Sequence, residues 1–474
     1  MSTFGGIQTA FSGLRAARAA IDLTGQNVAN AGTEGYTRQR VTQSAVGPSA
    51  ASSSVFRTGV NIGQGVRIDG TARLSDSILD TRVRTASSAA GYWSVTAAAV
   101  STIEDSLNEP GTNGLSATLA EFWASWQNLS NNPGSPGQGS TVVTEAGQVA
   151  SRIAAGYTYA AAGWSTERGA TVTTVDTIND AAAQVARLND QIRRTIAAGG
   201  SANELLDQRD VLVTRLSELA GATVRDNGDS TVDVVVGGNA LVAGTTSRTL
   251  TVTGATRVED AGARPVAVAW SGGGGTADIE GGQLAARLAV LAPADATANG
   301  GPWAEAAALY DRLAGSLAAA VNDLHSTGVT PSGTTGTAFF ALADGVPPAL
   351  GLSVLPTDVT GIASARPGMG GADGGIADAI GRLSGSPDGP DAAWSAYVVQ
   401  IGVLSRSTQQ QAALSEQSLG TAAAAQVSQA GVDLDEETAN LLTYQHAYQG
   451  AARVLTAIDE MLDVLINKTG IVGR

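Results

Sequence analysis

Cysteine is absent from the 474-residue chain, and histidine occurs only twice, at His325 and His446. The lack of cysteine excludes disulfides and thiolate sites, and it fits either the cytoplasm or export in an unfolded state. A zinc site would need carboxylates beside two histidines that are far apart in the chain, so we expect no metal centre. No window holds about 18 consecutive apolar residues, so we expect no membrane-spanning helix.

Basic residues are also scarce. Lysine occurs once, as Lys468, and the formal net charge is −15. This acidity argues against nucleic acid or an anionic membrane as a partner. A phosphate-binding loop of the Gly-Lys type is excluded because Asn467 precedes the lysine, and the glycine runs at 272–275 and 370–375 lack the required spacing. The first residues do not combine a basic region with an apolar run, so no cleavable secretory signal is predicted.

The residues that could support catalysis have simpler structural interpretations. Asp207 and Asp210 flank Arg209 on a predicted helix, where ion pairs on the helix surface or between helices are the first expectation. The aromatic residues at 122–126 are expected to pack a helical core rather than to stack on a ligand or on bases. We therefore predict that the protein is not an enzyme and uses no cofactor.

The last forty residues contain the most regular pattern in the chain. Apolar residues recur every seven positions in one series, which is Leu434, Leu441, Tyr448, Leu455 and Leu462. A second series follows each of these by three positions and is charged only at its first member: Glu437, Tyr444, Ala451, Ile458 and Leu465. These series predict a long helix that pairs with other helices. Asp433 and Glu436 fit a capping box at its start.

The amino-terminal segment carries a similar seven-residue repeat. Its members are Ile7, Leu14, Ile21 and Val28, with Phe11 between them. Two such series in one chain predict that the amino- and carboxy-terminal helices pair with each other. The pair can be a helical hairpin inside one globule, which periodicity alone favours, or it can complete a filament or an oligomer.

Between the ends, the period of the apolar residues changes twice. Most of 75–219 has helical spacing, the period becomes two after Gly221, and helical spacing returns over 284–324 and 394–430. Residues 41–75 alternate weakly and predict an extended arm or a short hairpin. The predicted fold is therefore mainly α with an inserted β domain. It comprises a coiled-coil-like terminal domain (1–35 and 432–474), a rod-like helical middle (36–221, 284–328 and 380–431) and a smaller β-rich outer domain (222–283 and 329–379).

Both ends resemble the bacterial flagellar axial proteins, the family of rod, hook and hook-associated proteins. The resemblance lies in residues 13–40 and in residues 432–467, and its amino-terminal signature consists of Asn30, Thr33, Gly35, Tyr36 and Arg38. Residues 36–39, 126–133 and 203–210 resemble the hook-associated members in particular. The resemblance implies a structural subunit that is exported unfolded, without a cleavable signal, to the extracellular flagellum, where it forms the junction between hook and filament.

The resemblance also implies the partners. These are further copies of the chain, the hook protein, the next hook-associated junction protein, and an export chaperone that binds the carboxy-terminal helix. The seven-residue series and Phe11 would form the assembly and chaperone interface. Two alternatives stay open from the residues: a hook or distal rod protein, which shares both ends, and a secreted adhesin or hydrolase with its activity in the β insertion.

Overall fold

The computed structural model describes residues 3–47 and 63–468. Residues 48–62 of the expected arm and the last six residues of the predicted terminal helix lie outside the described residues. The helices are α1 (Thr3–Ala29), α2 (Ser77–Leu107), α3 (Leu115–Asn131), α4 (Pro136–Ala197), α5 (Asn203–Ala220), α6 (Gly282–Val290), α7 (Pro302–His325), α8 (Pro348–Gly351), α9 (Gly375–Gly381), α10 (Pro390–Ala430) and α11 (Leu434–Asp463). The expectation of a mainly helical chain is confirmed.

The strands form four small antiparallel sheets within the described residues. A hairpin joins β1 (Gln39–Ala45) to β2 (Val66–Arg73), as the weak alternation predicts. The next strands are β3 (Thr223–Asp226), β4 (Val232–Val236), β5 (Asn239–Ala243) and β6 (Thr246–Ser247), which form one meander. The remaining pairs are β7 (Leu250–Thr253) with β8 (Ala267–Trp270), and β9 (Phe340–Leu342) with β10 (Leu352–Val354).

Helix α4 is the longest element, and it begins and ends at recognisable signals. Pro136 occupies the first turn, where a missing N–H costs nothing, and the Ser135 hydroxyl caps the helix by accepting from the Gln138 N–H. Gly199, with φ of +79°, follows its end. Its 62 residues span roughly 93 Å at 1.5 Å each, so one helix runs past more than one core.

The first half of α4 belongs to the larger core cluster. This cluster also includes residues of α3, α7, α9 and α10, and the β9–β10 hairpin contributes Phe340 and Leu352. Phe122, Trp123 and Trp126 of α3 lie at its centre and are buried, as expected. Stacking of Phe122 and Trp126 against Phe339 and Phe340 adds aromatic contacts to the apolar burial.

The second half of α4 belongs to a separate cluster with α5, α6 and the strands of 223–270. Val234 of β4 and Val268 of β8 are buried there. We expected residues 222–283 and 329–379 to form one outer domain, but their strands belong to different sheets and their buried residues mostly to different clusters. The two β segments therefore share no sheet. The division of the chain into three domains stays a prediction.

The two histidines have contrasting environments. His446 is exposed on α11. His325 is fully buried at the end of α7, where its Nδ1 lies 2.6 Å from the Thr337 carbonyl oxygen and its Nε2 accepts from the Ala363 N–H at 2.9 Å. This network assigns a neutral ring with its proton on Nδ1. Burial lowers the pKa of His325, so the charged form is disfavoured in the folded protein.

We predict that close packing against α4 makes Gly163→Ala destabilising. A Cβ at Gly163 would overlap the ring of Trp303, which is buried, so the ring would have to shift. The expected loss is about 1–3 kcal/mol in the free energy of unfolding. Gly169→Ala is the matched control, because Gly169 lies on the same helix with open space around it, and it should gain about 0.5–1 kcal/mol. Urea unfolding measures both, and equal effects would contradict the packing.

A second prediction concerns acidification. The folded-state pKa of His325 lies below its unfolded value of about 6.5, so the unfolded chain binds more protons between the two values. The contribution of His325 to stability is thus complete above about pH 6.5 and is lost as the pH falls below it. His325→Leu should lose less stability than the wild type between about pH 7.5 and 5.5. His446→Gln should behave as the wild type, and identical losses in all three proteins would refute the assignment.

Candidate assembly interface

The two terminal helices pair with each other, as expected, and the pair is antiparallel. Ile458 Cδ1 lies 3.1 Å from the point where Gly6 would carry a Cβ, and Ala451 Cβ lies 4.0 Å from the same point on Gly13. A step of seven residues forward along α1 thus matches a step of seven back along α11. The helices keep one register over this length.

The face of α1 that contacts α11 consists mostly of small residues. It continues from the two glycines through Ala10, Ala17, Ala20, Thr24 and Asn27, with the larger Leu23 buried beside them. The series that we expected in the contact lies beside it: Ile7, Leu14 and Ile21 are half-buried, and Val28 is exposed. Small side chains let the helix axes approach closely, which displaces the large residues to the flanks of the contact.

On α11, the second predicted series faces α1 and the first lies beside it. Glu437 and Ile458 are buried, and Tyr444 and Ala451 are half-buried. In the first series, Leu441, Leu455 and Leu462 are half-buried. Leu434 and Tyr448 are exposed. Leu465, the last member of the facing series, is 53% exposed. The pair therefore covers only part of the apolar surface of its own helices.

We call the uncovered part the outer apolar face. Its exposed members are Phe11, Val28, Leu434, Leu442, Tyr448, Val454, Met461, Leu465 and Ile466. The exposed fraction of Phe11 is 52%. Large apolar residues exposed on both helices of a pair indicate a surface that another protein covers. A single exposed leucine would carry no such meaning.

The chain turns sharply at the end of α1. Asn30 Nδ2 donates to the Gln26 carbonyl oxygen, and Thr33 Oγ1 donates to Asn30 Oδ1. Gly35 has φ of +75°, and a Cβ there would overlap Val211 of α5, so this position requires glycine. The turn brings Tyr36 and the residues after it into contact with the helix pair.

Asn27 connects this turn to both terminal helices. Its Oδ1 accepts from the Tyr36 hydroxyl at 2.9 Å and from the Gln39 N–H at 3.1 Å. Its Nδ2 donates to the Gln39 carbonyl at 3.0 Å and to Glu437 Oε2 at 3.1 Å. All four hydrogen-bonding directions of the amide are thus used, which accounts for a buried polar residue in an apolar contact.

Arg38 neutralises the carboxylate that α11 buries. Its Nε lies 2.7 Å from Glu437 Oε1, and its Nη1 lies 2.6 Å from Glu436 Oε2. The Asp433 side chain accepts from the N–H groups of residues 435 and 436, so the predicted N-cap is confirmed. Glu436 pairs with the arginine, where a full capping box would direct it to the Asp433 N–H.

A second group of ion pairs joins the turn to α5. Arg73 of β2 is mostly buried, and its Nη2 lies 2.7 Å from Asp207 Oδ1 and 2.8 Å from Asp210 Oδ2. Asp207 also accepts from the Thr37 N–H at 3.3 Å. The two aspartates do form ion pairs, but with an arginine of a strand and not, as expected, on the helix surface or between helices. Arg209 instead donates to Asn189 Oδ1 and the Ser230 carbonyl.

The electrostatics of this region reflect burial among acidic groups. Burial, with the negative charges of Asp207, Glu204 and Glu437, raises the pKa of Tyr36 to about 12. Burial also raises the pKa of Asp207, against the lowering effect of Arg73. The Tyr36 hydroxyl therefore stays protonated and donates to Asn27.

We refer to these hydrogen bonds and ion pairs as the polar knot. It comprises Asn27, Tyr36, Thr37, Arg38, Gln39, Arg73, Asn203, Glu204, Asp207, Asp210, Glu436 and Glu437. The sequence pattern singles out Tyr36 and Arg38 through the signature, and Glu437 as the only charge in its series. Arg73, Asn203 and Gln39 carry no local signal, because their partners lie far away in the chain.

One cleft in the β-containing region bears on the hydrolase alternative. It has a volume of about 370 Å³ and includes Tyr157, Glu259 and Asp311. Glu259 accepts from the Tyr157 hydroxyl and pairs with Arg257, and Asp311 accepts from the Ala349 N–H. Both carboxylates thus have structural hydrogen-bond partners.

Among the described residues, no group of three or more histidines or acids is arranged to hold a metal, and no helix is long and apolar enough to cross a membrane.

The family model described as "Flagellar hook-associated protein FlgK helical domain" matches residues 100–340. The chain is 30% identical over 515 residues to flagellar hook-associated protein 1 of Bacillus subtilis, and this alignment covers 100% of both chains. The chain belongs to the flagellar hook-associated protein 1 family. It is therefore a structural flagellar protein of the hook-associated class, and not a hook or distal rod protein.

Further matches agree with this family. Flagellar hook-associated protein 1 of Escherichia coli is 30% identical over 52% of this chain and 44% of its own length. The two ends match flagellar rod models, "Flagella basal body rod protein" at 7–37 and "Flagellar basal body rod FlgEFG protein C-terminal" at 424–468. The solved structure of the flagellar hook junction protein from Burkholderia pseudomallei shares the fold, with a TM-score of 0.62, 17% identity, and coverage of 73% of this chain and 99% of that one.

We predict that Arg73 is essential to the stability of this flagellar hook-associated protein. Arg73→Ala leaves the buried Asp207 carboxylate without its main counter-charge, at a cost of about 3–5 kcal/mol. Without the arginine the pKa of Asp207 rises further, so the cost is greatest at neutral pH and shrinks as the pH falls. Arg67→Ala, on the exposed side of the same strand, should change stability by less than about 0.5 kcal/mol. Urea midpoints at two pH values measure both, and a pH-independent loss for Arg73→Ala would count against this.

Proposed function

We propose that the outer apolar face is the surface through which copies of this chain assemble into the hook–filament junction. The observation behind this proposal is that pairing of α1 with α11 leaves large apolar side chains exposed on both helices. Apolar area removed from water contributes roughly 25 cal/mol per Å², and full burial of one leucine or phenylalanine contributes roughly 1.5–3 kcal/mol. Burial of the nine members between neighbouring subunits would stabilise their association in this way.

Assembly by this face needs both helices in one unit. The antiparallel pair combines Phe11 and Val28 of one chain end with the exposed apolar residues between Leu434 and Ile466 of the other. The polar knot connects the end of this pair that contains Asn27 and Glu437 to α5. Ile7, Leu14 and Ile21, with Leu441, Tyr444, Leu455, Ile458 and Leu462, support the face from within the pair. The signature residues Asn30, Thr33, Gly35, Tyr36 and Arg38 position it.

The same surface suits the other proposed partners. The hook protein on one side and the next hook-associated junction protein on the other would cover the ends of a ring of such helix pairs. An export chaperone would cover α11 before assembly, when its exposed leucines would otherwise aggregate. The chain would reach the extracellular flagellum unfolded, which the absence of cysteine permits.

We predict that Phe11→Asp blocks junction formation while leaving the monomer folded. Phe11 is half exposed, so its replacement should change monomer stability by less than about 0.5 kcal/mol. In the assembly the same change places a charge where water is excluded, and it recurs in every subunit. Gln8→Asp, at an exposed polar position of α1, is the matched control and should permit junctions.

The measurement is electron microscopy of flagella from a deletion strain complemented with each variant. The strain without the gene should show hooks without filaments, the wild type and Gln8→Asp should restore filaments, and Phe11→Asp should not. Restored filaments with Phe11→Asp would show that assembly uses another surface. Binding of the export chaperone to the chain with and without residues 432–468 tests the chaperone contact separately.

A further inference from the structure

Glu437 is the only charged residue among the buried residues of α1 and α11 described by the structure. It is 2% exposed and lies at one end of a contact built otherwise from glycine, alanine, apolar side chains and the neutral polar residues Thr24 and Asn27. A buried carboxylate gains little net stability over an apolar residue of similar size, so stability alone does not explain it. A single buried polar group in a helix pair is best known for another effect, which is the choice of register.

The apolar part of this contact discriminates weakly between registers. On α1 the residues that face α11 at seven-residue intervals are Gly6, Gly13 and Ala20 in one series and Ala10, Ala17 and Thr24 in the other. If α11 slides by seven residues, small side chains again meet the same helix. The helices would shift by roughly 10.5 Å without leaving a large cavity. Steric fit therefore does not prevent the slip, and the loss of large-residue burial is confined to one end, where Ile458 would move past the start of α1.

The polar contacts discriminate strongly. In the observed register Glu437 receives hydrogen bonds from Asn27 at 3.1 Å and from Arg38 at 2.7 Å. A slip of seven residues in one direction places the carboxylate opposite Ala20, where α1 offers no donor. It also leaves Arg38 and Asn27 without their acceptor. A slip in the other direction carries Glu437 past the end of α1, which ends at Ala29.

We propose that Glu437, together with Asn27 and Arg38, selects the register of the terminal helix pair. If the outer apolar face serves assembly, as proposed above, these three residues determine its specificity, because the register decides which apolar residues of α11 lie level with Phe11 and Val28 of α1. Arg38 belongs to the turn that is joined to α5. The same contacts therefore also fix the position of the α1–α11 pair relative to α5.

Engineered disulfides measure the register directly, because the full-length chain contains no cysteine of its own. The Gly13→Cys/Ala451→Cys pair reports the observed register, since the Cβ atoms would lie about 4.0 Å apart, within the range of a disulfide. The Gly13→Cys/Tyr444→Cys pair reports the slip of seven residues that moves Glu437 opposite Ala20. The ratio of the two cross-linking yields under mild oxidation is the readout.

The ratio should strongly favour the observed register in the otherwise wild-type chain. Glu437→Leu should lower it by about tenfold or more, because the seam then lacks the group that opposes slipping. Glu437→Gln keeps one of the two acceptor oxygens, so it can accept from Asn27 or from Arg38 but not from both, and it should retain only part of the preference. The Asn27→Leu/Glu437→Leu chain removes both members of the hydrogen bond between the two helices. It also takes Asn27 away from Tyr36 and Gln39, so it should be less stable, but it should still pair while losing its preference.

An unchanged ratio in Glu437→Leu and in the double variant would overturn the inference, as would failure of the Gly13→Cys/Ala451→Cys pair to cross-link in the wild-type background. These outcomes are independent of junction formation. If Phe11→Asp assembles normally while the ratio falls as expected, the proposed assembly surface fails and the register selection stands.

Discussion

The structure of both chain ends depends on the neutralisation of one buried carboxylate. Glu437 lies where α11 meets the base of α1, and it is held by an arginine from the turn and an asparagine from the helix. Removing a charge from water is costly unless its partners are close and its remaining hydrogen-bonding positions are filled. Both conditions are met here. The turn, the start of α11 and the end of α1 are consequently held in one arrangement by a few short contacts.

The body of the protein follows a different principle. Its long helix α4 passes through two apolar clusters, and small β elements and short helices pack on different parts of its length. The larger cluster contains the aromatic residues of α3, and the smaller one contains the valines of β4 and β8. One continuous helix thus joins the two apolar clusters. The polar knot connects this helix to the terminal pair through α5, whose residues Asp207 and Asp210 hold Arg73.

Much of the fold follows from local signals in the sequence. Asp433 marks the start of α11, the change of period after Gly221 marks the first strands, and the weak alternation of 41–75 marks the hairpin of β1 and β2. Local patterns did not show which face of α1 is covered. A heptad pattern is recognised by its large apolar residues, whereas the contact face of α1 consists mainly of alanine and glycine. Only the close approach of the two helices in the structure identifies that face.

The polar knot could be predicted only in part, for a related reason. Glu437 stands out as a charge in an apolar series, and Arg38 belongs to a signature. Arg73, Gln39 and Asn203 look like ordinary polar residues, because hydrogen bonds between distant parts of the chain leave no trace in spacing. Both β segments have strand-and-turn patterns, and these local patterns do not show which cluster each segment joins.

The span between Asn27 and Glu437 has a kinetic consequence. These residues are 410 positions apart, and their hydrogen bond closes a loop that contains almost the whole chain. The entropic cost of so long a loop is only modestly larger than that of a short one, but contacts of this kind form late. During synthesis, α1 is complete long before the ribosome reaches α11. Helix α1 therefore has no partner helix until α11 has been synthesised. The contact between the two chain ends cannot form before translation is almost complete.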